Sequence, residues 1–236
     1  MTFQTLKEQY PFVTETQFLQ LEKLVNLFVE KNKQINLSAF KDEESVWIKH
    51  VYDSLSTVDI IEKIEPQSLL DMGTGGGFPT LPLAIILPEI RFFPLDSVQK
   101  KLKCVREFSD SLGLKNISIL SGRAEELAYK KPHREQYDIV VTRAFANFSP
   151  MLEMTMPFVK EKGYLLAYLG PENDEQENDL LLDHFGGFCE DKFFYILPSG
   201  EKREIWKIKK VEPTMKHLPR RTGTPKKEPV SFIESP

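Results

Sequence analysis

Apolar residues near the start of the chain recur every three to four positions, a period that is typical of amphipathic helices. The clearest run contains Phe18, Leu21, Leu24, Val25 and Phe28. The residues just before it have the spacing of a capping box, which marks the start of a helix. Two shorter helical patterns cover positions 45–55 and 58–64. The pattern therefore predicts that residues 1–65 form a helical cap packed on the core.

Beyond residue 65 short apolar runs alternate with helical patterns, which predicts a parallel sheet with helices on both faces. The predicted strands cover residues 68–72, 91–95, 117–121, 138–142 and 163–168. The predicted helices cover residues 78–87, 99–112, 124–130, 150–159 and 175–185. Two last strands, 193–197 and 204–210, have no long helix between them, which predicts a closing antiparallel hairpin.

This second part of the chain falls into two regions. Residues 66–212 carry the alternating pattern and form the predicted core. Residues 213–236 are rich in Pro, Lys, Thr and Glu, so we expect them to be extended or disordered unless they dock. Within the core, Pro94 cannot donate to a ladder, and we expect it at a frayed strand end or a bulge.

Composition restricts the class of protein. A chain of 236 residues can form one large α/β domain, and it contains no run of ~20 apolar residues that would span a membrane. The first residues lack an apolar signal region, so we expect a cytoplasmic protein. Cys104 and Cys189 are far apart and lack CxxC or His spacing, which predicts neither a disulfide nor a metal site.

The net charge of −4 is weak evidence against nucleic-acid binding, but the distribution of charge matters more than its sum. Between Lys202 and Lys227 the chain has ten Lys or Arg residues and two Glu residues. This basic region on an otherwise acidic protein could bind a polyanion locally.

The stretch from Leu69 to Pro79 carries the strongest functional signal, because a glycine-dense turn there joins an apolar run to a segment that can be helical. Glycine allows positive φ and lets a ligand approach the main chain. Dinucleotide sites use G-x-G-x-x-G, whereas Gly73, Gly75 and Gly77 give G-x-G-x-G. Asp71 before them would repel a pyrophosphate and suits a ligand with positive groups, such as S-adenosylmethionine. A tight turn with no ligand is the alternative.

Further polar residues follow predicted strands, at the edge of the sheet where ligands bind in doubly wound folds. Asp96 could accept hydrogen bonds from two ribose hydroxyls or cap the next helix, and both roles can hold together. Ala124 and Glu125 are placed to frame an adenine, although Glu125 alone equally fits a capping or solvated residue. Arg143 could bind a carboxylate or an RNA phosphate, with a surface ion pair as the alternative.

Six motifs then occur in an order that resembles one known family. They are Asn36–Ser38, Lys49–Ser54, Asp71–Pro79, Leu95–Ser97, Gly122–Glu126 and Thr142–Ala146. Over about residues 15–230, the chain resembles the RsmG family of small-subunit ribosomal RNA guanine-N7 methyltransferases, also called glucose-inhibited division protein B. The glycine loop alone indicates only a methyltransferase, whereas the arginine motif and the motif around His50 make the resemblance specific.

The resemblance implies a class I S-adenosylmethionine-dependent methyltransferase fold (Rossmann-like α/β), with a mostly parallel seven-stranded sheet that has one antiparallel strand. It implies S-adenosylmethionine as donor, S-adenosylhomocysteine as product and N7 of a guanine in the 530-loop of 16S rRNA as acceptor. By matching motifs, the implied cofactor-binding residues are Gly73, Phe78, Asp96, Ser97, Val98, Ala124, Glu125 and Arg143. The loop residues Asp71, Gly75 and Gly77 are added to this set because of the glycine spacing and the negative charge of Asp71.

The implied partner is 16S rRNA, in the small ribosomal subunit or in an assembly intermediate, with no membrane and no metal, and we expect a monomer. Lys and Arg contacts to phosphates supply most of the affinity for RNA, and the candidates here are Lys49, Arg143, Arg220 and Arg221. Two positions depart from the family, which commonly has Arg at the position of Lys49 and Lys at the position of Leu169.

No single catalytic residue is predicted, because guanine N7 already has a lone pair and has no proton to lose. Alignment of N7 with the methyl group is then the main task. Two alternatives stay open. One is a nucleotide-dependent oxidoreductase, which the glycine spacing and Asp71 disfavour. The other is a catalytically inactive, methyltransferase-like RNA-binding or regulatory protein, for which Leu169 is the only indication.

Overall fold

The computed structural model describes residues 1–170 and 175–232, and seven strands of these residues form one sheet. The strands are β1 Ser68–Met72, β2 Arg91–Asp96, β3 Leu120–Ser121, β4 Tyr137–Arg143, β5 Val159–Leu169, β6 Gly187–Ile196 and β7 Lys202–Lys210. Their order is β3-β2-β1-β4-β5-β7-β6. Strand β4 pairs in parallel with β1 and β5, and β2 pairs in parallel with β3. Strand β7 is antiparallel to β5, so the predicted fold class is confirmed.

The helices alternate with the strands after an N-terminal helical segment, as the pattern predicts. They are α1 Phe3–Gln9, α2 Glu15–Gln34, α3 Glu43–Val46, α4 Asp53–Leu55, α5 Val58–Ile64, α6 Thr80–Ile86, α7 Gln99–Leu112, α8 Ala124–Leu127, α9 Phe148–Thr155, α10 Glu175–His184 and α11 Thr224–Lys227. A π-helical segment, Trp47–Tyr52, joins α3 to α4, and a 3₁₀ turn, Met156–Phe158, follows α9. Among the described residues, no helix is both long enough and apolar enough to cross a membrane.

By its contacts the chain divides into two units, and the boundary crosses the glycine loop. The first unit contains Met1–Gln67, Thr74–Ser121 and Ile196–Glu201. The second contains Ser68–Gly73, Gly122–Tyr195 and the chain from Lys202 onward. The division into a cap, a core and a tail at residues 65 and 212 stays a prediction.

In the first unit, the predicted helix around Phe18 to Phe28 is α2. The Thr14 hydroxyl accepts a hydrogen bond from the Gln17 N–H, and the Gln17 side chain accepts one from the Thr14 N–H, so the capping box forms as predicted. The apolar face of α2 is buried, and Phe28 is fully enclosed.

Strand β2 contradicts one expectation, because Pro94 lies inside it and not at a frayed end or a bulge. On the β3 side, Leu95 pairs with Leu120. The next pair toward the start of β2 is an isolated bridge between Phe92 and Ile117. The ladder skips Pro94 with its register kept, so the missing N–H is not needed there. The same intermittent pairing shortens β3 from the predicted residues 117–121 to Leu120–Ser121.

In the second unit, residues 213–232 contact the folded chain. This is the docked case that the prediction for the tail allowed as the exception to an extended or disordered segment. Residues 233–236 of the predicted tail lie outside the described residues. The Arg134 guanidinium donates to the carbonyls of Thr214, Met215 and Leu218. The Tyr129 hydroxyl lies 2.6 Å from the Pro219 carbonyl, and Leu218 is buried. Polar contacts made by the core thus hold a segment whose composition alone predicts little order.

Candidate active site

The glycine loop between β1 and α6 requires glycine for two separate reasons. Gly73, Gly75 and Gly77 have φ values of +74°, +58° and +96°, a region that L side chains rarely adopt. A Cβ at Gly73 would lie 2.5 Å from the Phe145 ring, and one at Gly77 would lie 2.4 Å from Leu81. The loop is therefore both left-handed and tightly packed, which suits a backbone that a ligand must approach closely.

The end of β2 is joined to the glycine loop by a carboxylate in the first unit. Asp96 accepts hydrogen bonds from the Gly75 N–H at 3.0 Å and from the Val98 N–H at 2.8 Å. Three predicted cofactor residues therefore meet here, with the exposed Ser97 between two of them. The alternative role of Asp96 as a helix cap is wrong, because Val98 is the N-cap of α7. The remaining lone pairs of the carboxylate can still accept other donors.

An aromatic cluster, made of Phe28, Phe40, His50 and Phe78, supports the loop within the first unit. The His50 ring stacks on Phe78 with centroids 4.7 Å apart, and Phe28 meets Phe78 edge-on at 5.0 Å. His50 Nε2 lies 2.9 Å from the Ser38 hydroxyl. The motifs around Ser38 and His50 are thereby brought to the glycine loop. Phe78 itself is buried, so its ring serves as packing for the loop.

The segment that carries Ser38 is fixed by one buried amide. The Asn32 side chain accepts from the N–H groups of Leu37 and Ser38 and donates to the carbonyls of Ser38 and Phe40. A buried side chain that satisfies four backbone groups holds the segment in one conformation. This role of Asn32 was not predicted from the sequence, because the residue sits where the helical pattern ends.

The second unit contains the other predicted cofactor residues. Asp71 is buried in β1, and Gly73 follows that strand. Ala124 and Glu125 are buried in the first turn of α8, where Glu125 Oε1 accepts a hydrogen bond from the Gly223 N–H at 2.9 Å. Arg143 is the last residue of β4 and is half-buried.

The residue after Arg143 has an unusual backbone. Ala144 has a φ of +50°, which is strained for a residue with a Cβ. The turn presents Phe145 so that its ring covers the space that a Cβ at Gly73 would need. Phe145 is thus the residue of the arginine motif that touches the glycine loop.

Thr74, in the same loop, carries an orphaned polar atom. Its hydroxyl is buried and has no hydrogen-bond partner within the part of the chain that the structure describes. Because buried hydroxyls are normally satisfied, a polar ligand group at the loop would fit this observation.

Two of the four predicted RNA-binding cations are held by internal carboxylates. In the first unit, Lys49 pairs with Glu201 and donates to the Ser199 hydroxyl at 2.7 Å. In the second, Arg220 forms a two-pronged pair with Glu153, with N–O distances of 2.6 to 3.1 Å, and the hydrogen bond raises the pKa of the guanidinium. Both side chains thus have structural partners, and a role in RNA binding stays a prediction for them. Arg221 is exposed.

Glu153 is a functional candidate that the sequence analysis missed. It lies in α9 among Met151, Leu152 and Met154, and its side chain is fully buried. A lone carboxylate in an apolar helix is a signal that it has a charged partner, because an unpaired buried charge is costly. That signal could have found the residue, but not its partner, Arg220, 67 positions later.

Metal and thiol chemistry find no support here. Within residues 1–170 and 175–232, no group of three or more His, Cys, Asp or Glu side chains could hold a metal ion. Cys104 and Cys189 are free cysteines. Cys104 is buried in α7, and burial raises the pKa of its thiol, which disfavours the nucleophilic thiolate.

Comparison with known proteins places this architecture in one family. Residues 17–183 match the GidB model, described as rRNA small subunit methyltransferase G. Ribosomal RNA small subunit methyltransferase G of Leuconostoc citreum is 40% identical over 223 residues, covering 93% of each chain. The protein of the same name from Halalkalibacterium halodurans is 36% identical over 231 residues, covering 97% of each chain.

Solved structures resemble the fold at low sequence identity. An O-methyltransferase from Bacillus cereus in complex with SAH has a TM-score of 0.59 at 15% identity, covering 80% of this chain and 91% of that one. TYW2 from M. jannaschii in complex with AdoMet has a TM-score of 0.50 at 13% identity, covering 66% of this chain and 76% of that one. The fold is therefore that of the S-adenosylmethionine-dependent methyltransferases, and the chain belongs to the GidB family, rRNA small subunit methyltransferase G.

Proposed function

We propose that this protein transfers a methyl group from S-adenosylmethionine to N7 of a guanine in 16S rRNA, within the 530-loop. The observation that carries the proposal is the Asp96 carboxylate, which joins the glycine loop at Gly75 to the end of β2 at Val98. The relatives are small-subunit rRNA methyltransferases by name, and two solved structures of similar fold are complexes with SAH and with AdoMet.

The residues present fit S-adenosylmethionine. The tightly packed glycines with positive φ let a ligand approach the main chain. The buried Thr74 hydroxyl has no hydrogen-bond partner among the described residues and could bind a polar group of the ligand. We assign Asp96 to the ribose hydroxyls, with Ser97 and Val98 beside it. We assign Ala124 and Glu125 to the adenine. The carboxylate of Asp71, which precedes the loop, would attract the positively charged groups of S-adenosylmethionine.

The remaining assignments concern backbone and packing. Gly73, Gly75 and Gly77 provide main chain that the cofactor can approach, and Phe78 packs that loop from the first unit. Arg143, at the end of β4, is a cation for the cofactor carboxylate or for an RNA phosphate.

When bound, S-adenosylmethionine supplies an activated methyl group on a positively charged sulfur. Guanine N7 has an in-plane lone pair and no proton, so no side chain has to act as a base. The protein therefore works by holding the two partners in line. As positive charge passes to the guanine, nearby carboxylates can stabilise it. For this reason no single catalytic residue is assigned.

The basic C-terminal region is the proposed contact with RNA phosphates. Arg221, Lys226 and Lys227 are exposed there, and phosphate contacts of this kind supply affinity that falls with salt. The substrate is 16S rRNA in the small ribosomal subunit or in an assembly intermediate, and we expect the protein to act as a cytoplasmic monomer. Leu169, at the end of β5, stands where the family commonly has Lys; if that lysine helps to hold RNA, a cation such as Lys162 or those of the C-terminal region takes over its role here.

Nucleoside analysis tests the proposal. Purified protein, labelled S-adenosylmethionine and small subunits with unmodified rRNA are expected to yield labelled 7-methylguanosine, and Asp96→Ala is expected to reduce the yield. Retained RNA binding without any 7-methylguanosine would instead support the inactive RNA-binding alternative. A labelled nucleoside other than 7-methylguanosine would preserve the methyltransferase and refute the acceptor atom.

A further inference from the structure

The segment Arg220–Lys227, here called the strap, contacts residues of the candidate cofactor site in the second unit. Its Gly223 N–H donates to Glu125 Oε1 at 2.9 Å. Its Lys226 ammonium donates to the Phe145 carbonyl at 3.2 Å and lies 4.8 Å from the centre of the Phe145 ring. The strap thus touches the residue assigned to the adenine and the ring that packs on Gly73.

The strap begins at a strong anchor. The Arg220 guanidinium makes three hydrogen bonds to the two oxygens of Glu153, and the Arg220 main-chain N–H adds a fourth at 2.8 Å. Glu153 is fully buried, and paired, charge-assisted hydrogen bonds of this kind fix geometry as well as adding energy. The position of the strap is therefore set by the interior of the second unit.

The contact with Glu125 uses only part of its capacity. A carboxylate accepts through two oxygens, and the strap engages Oε1. The carboxylate is buried in the first turn of α8, so without the strap it would lose the hydrogen bond from the Gly223 N–H. A side chain whose rotamer is held in advance binds a ligand at a lower entropic cost.

We propose that the strap is a positioning element of the cofactor site, so that strap docking and binding of S-adenosylmethionine stabilise each other. The inference rests on the proposed function, because it takes Glu125 as a cofactor-binding residue. Coupling between two binding events is reciprocal. The cofactor should therefore hold the strap in place as strongly as the strap favours the cofactor.

Calorimetry with S-adenosylhomocysteine tests the first half of this statement. Gly223→Pro removes the donor N–H and is incompatible with the φ of +85°, and Lys226→Ala removes the contacts to Phe145. We expect affinity to fall by about fivefold or more in Gly223→Pro and by less in Lys226→Ala. Lys63→Ala, at an exposed lysine of α5 outside the strap, serves as the matched control and should leave the affinity within about twofold of the wild type.

Trypsin cleavage of the full chain after Arg221 tests the second half. Saturating S-adenosylhomocysteine should slow this cleavage in the wild type by about the same factor by which Gly223→Pro weakens binding. In turnover assays Gly223→Pro should raise KM for S-adenosylmethionine and leave kcat within about twofold, whereas general unfolding would lower kcat.

The outcomes separate the two proposals. If the wild type binds S-adenosylhomocysteine while both strap variants bind it equally well and cleavage is unaffected, the strap inference is wrong and the proposed function stands. A fall in kcat with unchanged affinity would also refute the inference. If the wild type binds no S-adenosylhomocysteine, the proposed function fails and the inference fails with it.

Discussion

Two regions contain or contact the candidate cofactor residues, and they are held by different forces. In the first unit, the glycine loop rests on the aromatic cluster, where Phe28 and His50 pack against Phe78. In the second unit, the strap is held by carboxylates, through the pairs of Arg220 with Glu153 and of Gly223 with Glu125. One region depends on shape and apolar burial, and the other depends on charge and hydrogen bonds.

The difference predicts how each region fails. Apolar packing is nearly independent of pH and loses stability in proportion to the volume removed. Buried carboxylates depend on their partners, because a charge left without its partner inside a protein is costly. Substitutions in the aromatic cluster should therefore act through cavities, whereas those around the strap should act through orphaned charges that a matched second substitution can relieve.

The largest effect is expected at Phe28, which is fully buried and lies against Gly76 as well as Phe78. Phe28→Ala should lower the free energy of unfolding by about 4 kcal/mol, because it leaves a cavity in a packed core. Urea unfolding measures this loss. Leu19→Ala, on the exposed face of the same helix, should cost less than ~1 kcal/mol. Equal losses for the two variants would show that the cluster is not a packed core.

The next effect is expected at the strap anchor. Arg220→Ala should cost about 3 kcal/mol of unfolding free energy, because it leaves the buried Glu153 carboxylate unpaired. Arg221→Ala, an exposed neighbour, should change it by less than ~0.5 kcal/mol.

The double variant Glu153→Leu with Arg220→Met sharpens the comparison. It removes both charges and should recover stability to within about 1 kcal/mol of the wild type. A double variant as unstable as Arg220→Ala would mean that the pair acts through shape, like the aromatic cluster, and not through charge.

A smaller effect concerns affinity instead of stability. Asp96→Ala should weaken binding of S-adenosylhomocysteine by about 2 kcal/mol, because it removes acceptors for the ligand and the bonds to Gly75 and Val98. Calorimetry measures this loss, with the exposed Gln99→Ala as the control. Unchanged affinity in Asp96→Ala would remove this residue from the cofactor site.

Regular elements could be predicted where pattern and termini agreed. Helix α7 matches the predicted residues 99–112 because its apolar face is periodic and Gly113 closes it in the left-handed conformation. Strand β1 matches residues 68–72 because all five of its residues are buried. Strand β5 begins at Val159, before the predicted residue 163, because the exposed residues at positions 160–162 hide the strand pattern.

Contacts between polar residues far apart in sequence could not be predicted in this way. The candidate residues at the ends of β1 and β4, both in the second unit, could be placed from strand order, since parallel strands bring their carboxyl ends to one edge. The pairs Arg220 with Glu153 and Gly223 with Glu125 span 67 and 98 positions, and no periodicity marks them. The place where the tail docks could therefore not be predicted from its composition.

The smallest effect expected is a pH dependence at a second anchor of the tail, where Glu135 binds the buried Lys210 and the Thr214 N–H, both at 2.7 Å. Burial alone would raise the pKa of Glu135, but the bonds from Lys210 and Thr214 outweigh it and hold the pKa of this carboxyl below its usual range. A carboxyl group whose pKa is lowered by folding stabilises the folded protein at pH values above its unfolded-state pKa. This contribution is lost as the pH falls through the folded-state pKa. Glu135→Gln should cost about 1 kcal/mol at pH 7, measured by urea unfolding, and the difference from the wild type should shrink as the pH falls through the lowered pKa of Glu135. Glu212→Gln, an exposed control, should change the unfolding free energy by less than ~0.5 kcal/mol. A difference that stayed constant from neutral to acid pH would show that this anchor, like the aromatic cluster, depends on packing and not on charge.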